Sequence, residues 1–222
     1  MGIDFSLQDW DKLITNLRTI AENVETPTVF DYSYRDSTPF QILISTIISL
    51  RTRDPVTFSS SEKLFAAAPD PQSILKMETS QISELIYPAG FYRRKAVNIK
   101  QISEILLERH EGLVPKNLDA LLELPGVGRK TANLTLGLSF GIPALCVDTH
   151  VHRIPNRMGW IETKTPEKTE FALVKILPKK YWIEINELLV AFGQTICTPV
   201  SPKCSECPLK NDCLRMGVEK SR

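Results

Sequence analysis

Ahead of four runs of apolar residues at helical spacing, a residue able to cap a helix is followed at once by proline: Thr38-Pro39, Asp54-Pro55, Asp70-Pro71 and Thr165-Pro166. A capping oxygen satisfies unpaired amides in a helix's first turn, and proline suits that turn because it has no amide to satisfy. Each pair therefore predicts a helix start, and the apolar residues that follow keep helical spacing. Leu7, Trp10, Leu13, Ile14, Leu17, Ile20, Ala21 and Val24 share one face, with Ser6 placed to cap them. The nearly all-apolar PFQILISTIISL, opened by Pro39, predicts a helix buried on every side. A long helix is expected from about Phe91 to His110, ended by Gly112, and another through Trp182, Ile185, Leu188, Leu189 and Phe192. No convincing strand alternation accompanies them, so the chain is predicted to be all-α.

With 42% hydrophobic and 24% charged residues, the 222-residue chain has the composition of an ordinary globular protein, which excludes disordered and fibrous classes. No apolar run approaches the roughly 20 residues needed to cross a bilayer, and MGIDFSLQDWDK lacks the order of a signal peptide. The protein is therefore expected to have no membrane partner and no targeting segment. The net charge of +1 hides an asymmetry. Residues 1–123 hold 13 Lys and Arg against 17 Asp and Glu, whereas residues 124–222 hold 14 against 9. The basic surplus of the second part is compatible with a phosphate-binding face, and also with an ordinary solvated surface.

Between a helix expected at Leu118 to Leu124 and another starting near Gly128 stands LPGVGRKTAN, residues 124–133. Gly126 and Gly128 permit close backbone approach and unusual dihedrals. The second helix presents N-terminal amides and the positive end of its dipole, which together suit a phosphate and can hold a nucleic-acid backbone without reading a base. A Gly-x-Gly turn by itself is as often only a sharp connection. Here Lys130 comes directly after the turn, and Asp148, locally a natural helix cap, follows in VDTHVHR. At the other end, Cys197, Cys204, Cys207 and Cys213 fall within seventeen residues, separated by six, two and five. With no signal peptide, metal binding is favoured over a disulfide scaffold, and the spacing alone leaves zinc and an iron-sulphur cluster open. Cys146, in PALCV, reads as a packing residue.

The stretches LPGVGRKTAN and VDTH, with PFQILIST at Pro39, GFYRRKA at Gly90 and the four cysteines, resemble the endonuclease III family over nearly the whole chain. The resemblance implies two helical lobes: a barrel over residues 32–142 carrying a helix-hairpin-helix, and a second lobe of residues 1–31 and 143–222 with a C-terminal cluster loop. Double-stranded damaged DNA would lie in the groove between them. It further implies a monomeric base excision repair enzyme of the prokaryotic cytoplasm, associated with the nucleoid. Such an enzyme is a bifunctional DNA glycosylase and abasic-site lyase that removes oxidised pyrimidines of the thymine glycol and 5-hydroxycytosine type and then cleaves 3′ to the abasic site by β-elimination.

By the same resemblance Lys130 is the attacking amine and forms the Schiff base, and Asp148 is the essential carboxylate. A lysine can attack only as the neutral amine; the positive end of a helix and the loss of water beside a flipped nucleotide both disfavour the ammonium. Gly126, Gly128 and Arg129 would hold the DNA backbone, His150 would lie near the sugar, and Lys203 would reach a phosphate. His152 and His110 carry no such implication and read as surface or packing residues. The four cysteines would hold a 4Fe-4S cluster. The family's glutamine and leucine that occupy the gap left by the flipped base are replaced by Arg51 and Phe91. Arg93, Arg94 and Lys95 are candidates for phosphate contact. Related adenine and mismatched-thymine glycosylases lack the attacking lysine, and a non-catalytic DNA-binding module would leave Lys130 and Asp148 without a purpose.

Overall fold

The computed structural model describes residues 9–22 and 37–222, and among these residues the regular structure is helical, with no strands. The chain divides into two compact units, one of Met1–Pro27 with Pro143–Arg222 and one of Thr28–Ile142.

The Thr28–Ile142 unit contains α2 (Pro39–Ser49), α3 (Asp54–Ala67), α4 (Pro71–Leu75), α5 (Thr79–Leu85), α6 (Tyr92–Arg109), α7 (Leu118–Leu122) and α8 (Arg129–Phe140); α1 belongs to the other unit. Helix α2 is the axis of the unit. Thr38 caps it in a box, its hydroxyl accepting from the Gln41 amide while the Gln41 side chain accepts from the Thr38 amide. Phe40, Ile42, Leu43, Ile44, Ile47 and Ile48 are all buried, so α2 is surrounded as its composition requires, by α3, α6 and α8. Helices α4 and α5 close over α6.

The other unit joins α1 (Trp10–Glu22) to α9 (Thr149–Met158), α10 (Pro166–Ile176) and α11 (Glu184–Thr195). Its core packs Ile14 and Leu17 of α1 with Val151 and Ile154 of α9 and Leu189 and Phe192 of α11, while Trp10 meets Trp160 edge to face at 5.2 Å. Cys197, Cys207 and Cys213 rest against this core.

The all-α expectation holds, and Thr38, Asp70 and Thr165 cap their helices as expected. Several boundaries differ. Asp54 does not cap α3; it is that helix's first residue, Arg53 takes the cap position without a side-chain bond, and Pro55 falls one place further in. The long helix begins at Tyr92 because Phe91 is left-handed, with φ 57°. It ends at Arg109, and Gly112, also at positive φ, donates its amide back to the Leu106 carbonyl. Trp182 stands before α11, in a turn where its indole donates to the Leu177 carbonyl. Ser6, Leu7 and Val24, expected in the first helix, lie outside the described residues.

No helix among the described residues is long and apolar enough to cross a membrane. Ile44 is fully buried at the centre of α2, so Ile44→Ala should lower unfolding stability by about 2–5 kcal/mol in urea titration, read with the transition slope unchanged.

Candidate active site and cluster loop

The hairpin is built from α7, its turn and α8. Asn117 caps α7 through a bond from the Ala120 amide, and the Val127 amide closes the turn onto the Leu124 carbonyl. Leu124 and Val127 are both buried and pin the turn to the unit. Gly126 needs to be glycine: its φ is +79°, and a Cβ there would stand 2.3 Å from Asn98 Nδ2. Gly128 does not share that requirement. Its backbone is extended, φ −101° and ψ 176°, with open space where a Cβ would go, which corrects the expectation of unusual dihedrals. What Gly128 supplies is a cap position with no side chain, so α8 starts without a side-chain cap bond from that residue.

Lys130 is exposed in that first turn, beside a partly buried Arg129, while every residue from Thr131 to Gly137 is buried. Asp54 of α3 feels the Lys130 charge: burial raises the Asp54 carboxyl above its ordinary value and the lysine opposes the rise. Nothing in the sequence pattern pairs these two residues, which come from different segments.

Arg51 and Phe91, expected in separate loops, are brought together. Both are left-handed, with φ 53° and 57°, and the Arg51 guanidinium lies 5.5 Å from the centre of the Phe91 ring. Phe91 is 64% exposed, an unusual place for a phenylalanine held in a conformation that bulky residues avoid. Arg93 and Arg94 are exposed beside it, with Arg93 over the Tyr92 ring. Lys95 corrects an expectation: it is buried, its ammonium bonded inside the unit, so it is not placed to contact a phosphate.

In the other unit Asp148 caps α9, one oxygen, Oδ1, accepting from the amides of His150 and Val151 at 2.9 and 2.8 Å. The same helix fastens the cysteine loop through two arginines that the sequence reading missed. Arg153 Nη2 lies 3.2 Å from His150 Nδ1 and donates to the Cys197 carbonyl at 2.9 Å. Burial lowers the pKa of its guanidinium. Arg157 donates to the carbonyls of Thr198 and Pro199, both at 2.7 Å, and approaches Cys197 Sγ at 3.6 Å. Their spacing of one helical turn, with Asp148 at the head, was the available signal. His152 bonds Thr169 and has a structural place, as expected.

Cys197, Cys204, Cys207 and Cys213 are free thiols, none fully buried, lining one recess with Met158, Phe192, Ile196 and Leu209. Burial pushes the thiols of Cys207 and Cys213 up, and the neighbouring cysteines add to the rise. Four thiolates in an apolar recess therefore need positive charge among them, which iron supplies. An all-sulphur donor set spread around a shared space suits a multi-iron cluster. Lys203 lines the same recess, its amide bonded to the Ile196 carbonyl. Cys146 is buried, as expected of a packing residue.

Residues 44–179 match the HhH-GPD superfamily of base excision DNA repair proteins, and residues 197–213 match the iron-sulfur binding domain of endonuclease III. The chain belongs to the endonuclease III family. Endonuclease III of Thermotoga maritima is 51% identical over 184 residues, covering 83% of this chain and 86% of that one. A solved non-covalent endonuclease III–DNA complex superposes with a TM-score of 0.81 at 30% identity, over 94% of this chain and 97% of that one. A thermostable thymine-DNA glycosylase matches at 0.80 and 26%, over 92% and 95%. As an endonuclease III family member the protein is a base excision repair glycosylase and abasic-site lyase that binds DNA and carries a 4Fe-4S cluster.

Anaerobically prepared Cys204→Ser protein should lose most of its iron and visible absorbance, whereas Cys146→Ser should match wild type in iron per chain. Equal iron in both variants would remove Cys204 from the ligand set.

Proposed function

We propose that Lys130 attacks C1′ of an oxidised pyrimidine nucleotide flipped out of duplex DNA, so that base removal and strand cleavage share one covalent intermediate. The observation that carries this reading is the position of Lys130: exposed, in the first turn of α8, directly behind the hairpin turn. As its nitrogen bonds to C1′, the glycosidic bond breaks and its electron pair leaves with the base. Ring opening gives the Schiff base; loss of a proton from C2′ then expels the 3′ phosphate, and water hydrolyses the imine to return the free amine. Since Lys130 is exposed, its shielding from water must come from the bound nucleotide.

Asp148 would stabilise positive charge developing on the sugar or accept a proton, using the oxygen that does not cap α9. His150 would stand near the same sugar. Gly126, Gly128 and Arg129 would hold phosphates through the hairpin, and Lys203 would add another contact from the cluster loop. Flipping costs a few kcal/mol, less at a damaged pair, and Arg51 with Phe91 would occupy the gap: the ring as a wedge, the guanidinium against the orphaned base. Cys197, Cys204, Cys207 and Cys213 would hold the cluster, whose role is to fix the loop between the first two of them. The reading assigns residues 32–142 to a hairpin-bearing barrel and residues 1–31 with 143–222 to the cluster lobe, acting as a monomer on double-stranded DNA in a prokaryotic cytoplasm.

Lys130→Gln should bind thymine-glycol duplex yet give no borohydride-trapped complex and no strand cleavage, while Asp148→Asn, which keeps the capping oxygen, should bind and fold normally but release base orders of magnitude more slowly. Trapping of Lys130→Gln at the wild-type level would show that another amine is the nucleophile.

Binding of undamaged duplex should weaken as salt rises, and Lys203→Ala should lower the slope of log affinity against log salt by about one contact's worth. A slope that Lys203→Ala leaves unchanged places that side chain off the DNA.

A further inference from the structure

A lysine near the start of an amphipathic helix ordinarily reaches into solvent, and the neighbours Arg93 and Arg94 do so. Lys95 turns inward and is only 5% exposed. Its ammonium donates to the Ile48 carbonyl at 2.6 Å, the Leu50 carbonyl at 2.6 Å and Thr52 Oγ1 at 2.8 Å. Three N–H groups thus meet three acceptors, all from the end of α2 and the loop that leaves it. Burial pulls the pKa of Lys95 down to about 8, with no acidic group among its causes. A methionine would fill the same volume without that penalty, so what the ammonium adds is a set of directed bonds to the loop.

The same loop carries Arg51, between two of the residues Lys95 holds. Thr52 Oγ1 also accepts the Gly90 amide at 3.1 Å, and a Cβ on Gly90 would stand 2.3 Å from the Arg51 carbonyl oxygen, so the two backbones touch with no room for a side chain. From the other side, Phe91 joins Gly90 to α6, and the Lys95 amide donates to the Phe91 carbonyl at 3.1 Å. Lys95 therefore reaches Arg51 through Leu50 and Thr52, and Phe91 through both Thr52 and its own amide.

We propose that Lys95 is a positioning residue for DNA repair by this protein: it holds Arg51 and Phe91 as one rigid pair, aimed into the gap that a flipped nucleotide leaves. The proposal rests on the reading of Arg51 and Phe91 given under Proposed function. Two exposed side chains on backbone that bulky residues avoid would relax independently if the loops were free. The buried ammonium keeps them in register before DNA arrives, so the ordering cost is met in folding and not in binding.

The test compares two substrates that differ in their need for a wedge. Duplex thymine glycol requires flipping, whereas an abasic site in a single-stranded oligonucleotide does not. Lys95→Met should slow single-turnover excision from duplex by about tenfold or more while slowing single-strand cleavage less than about twofold, a split that a general loss of folded protein cannot produce. Added to an Arg51→Ala/Phe91→Ala background, it should cause little further loss, since the residues act as a unit. Thr52→Val, which removes only the shared hydroxyl, should show the same selectivity at about threefold, and it decides the matter if Lys95→Met does not fold. Equal loss on both substrates, or no loss on either, overturns the proposal. If Arg51→Ala/Phe91→Ala is impaired on duplex and neither Lys95→Met nor Thr52→Val is, the positioning role alone falls. If Arg51→Ala/Phe91→Ala works at the wild-type rate, the wedge reading itself falls, and the proposal with it.

Discussion

A helix this rich in apolar side chains cannot be left on a surface, and α2 is buried at every residue from Ile42 to Ile48. Six of its large apolar side chains are buried, and the chain satisfies them by wrapping α3, α6 and α8 around it. That single demand organises the Thr28–Ile142 unit. It fixes α8, so the residue that opens α8 has a defined place, and it fixes α6 against the end of α2, so the loops on either side of Lys95 meet. The candidate site residues of this unit lie where helices begin or end on this scaffold: Arg51 after α2, Phe91 before α6 and Lys130 in the first turn of α8.

The cluster-bearing unit solves a different problem. Four thiolates repel each other and dislike an apolar recess, so the loop carrying them needs outside anchorage as well as metal. Helix α9 provides it through the partly buried Arg153 and Arg157, which bond the carbonyls of Cys197, Thr198 and Pro199. The helix that does this is the one Asp148 caps, and Arg153 also touches His150. Movement of the cysteine loop and movement of the Asp148 turn are thereby linked through one short helix.

Much of this was legible in the sequence. Capping is local chemistry, so Thr38, Asp70 and Thr165 mark helix starts without knowledge of the rest of the chain. The hairpin and the cysteine spacing are equally local. Failures came where local rules were overruled by packing. Asp54 has the look of a cap, yet it became the first residue of α3 and lies half-buried. A charged run such as Arg93-Arg94-Lys95 looks uniformly solvated, but helical geometry sends its third residue, Lys95, to the side away from Arg93, toward carbonyls that no pattern announces. The left-handed turn at Phe91 was hidden for a related reason: side-chain type argues against it, and only the surrounding bonds hold it there.

The interleaving of the two units also sets an order of events in time. Helix α1 buries Ile14 and Leu17 against a core to which α11 contributes Leu189 and Phe192, yet the whole Thr28–Ile142 unit is synthesised between them. At roughly 5–20 residues per second, α1 waits on the order of ten seconds or more for its partner to exist. During that interval the apolar stripe of α1, with Leu13, Ile14 and Leu17, has none of its partners from α9 and α11. The cysteines emerge later still, and Leu209, between Cys207 and Cys213, belongs to that same core, so the core and the cysteine loop are completed together.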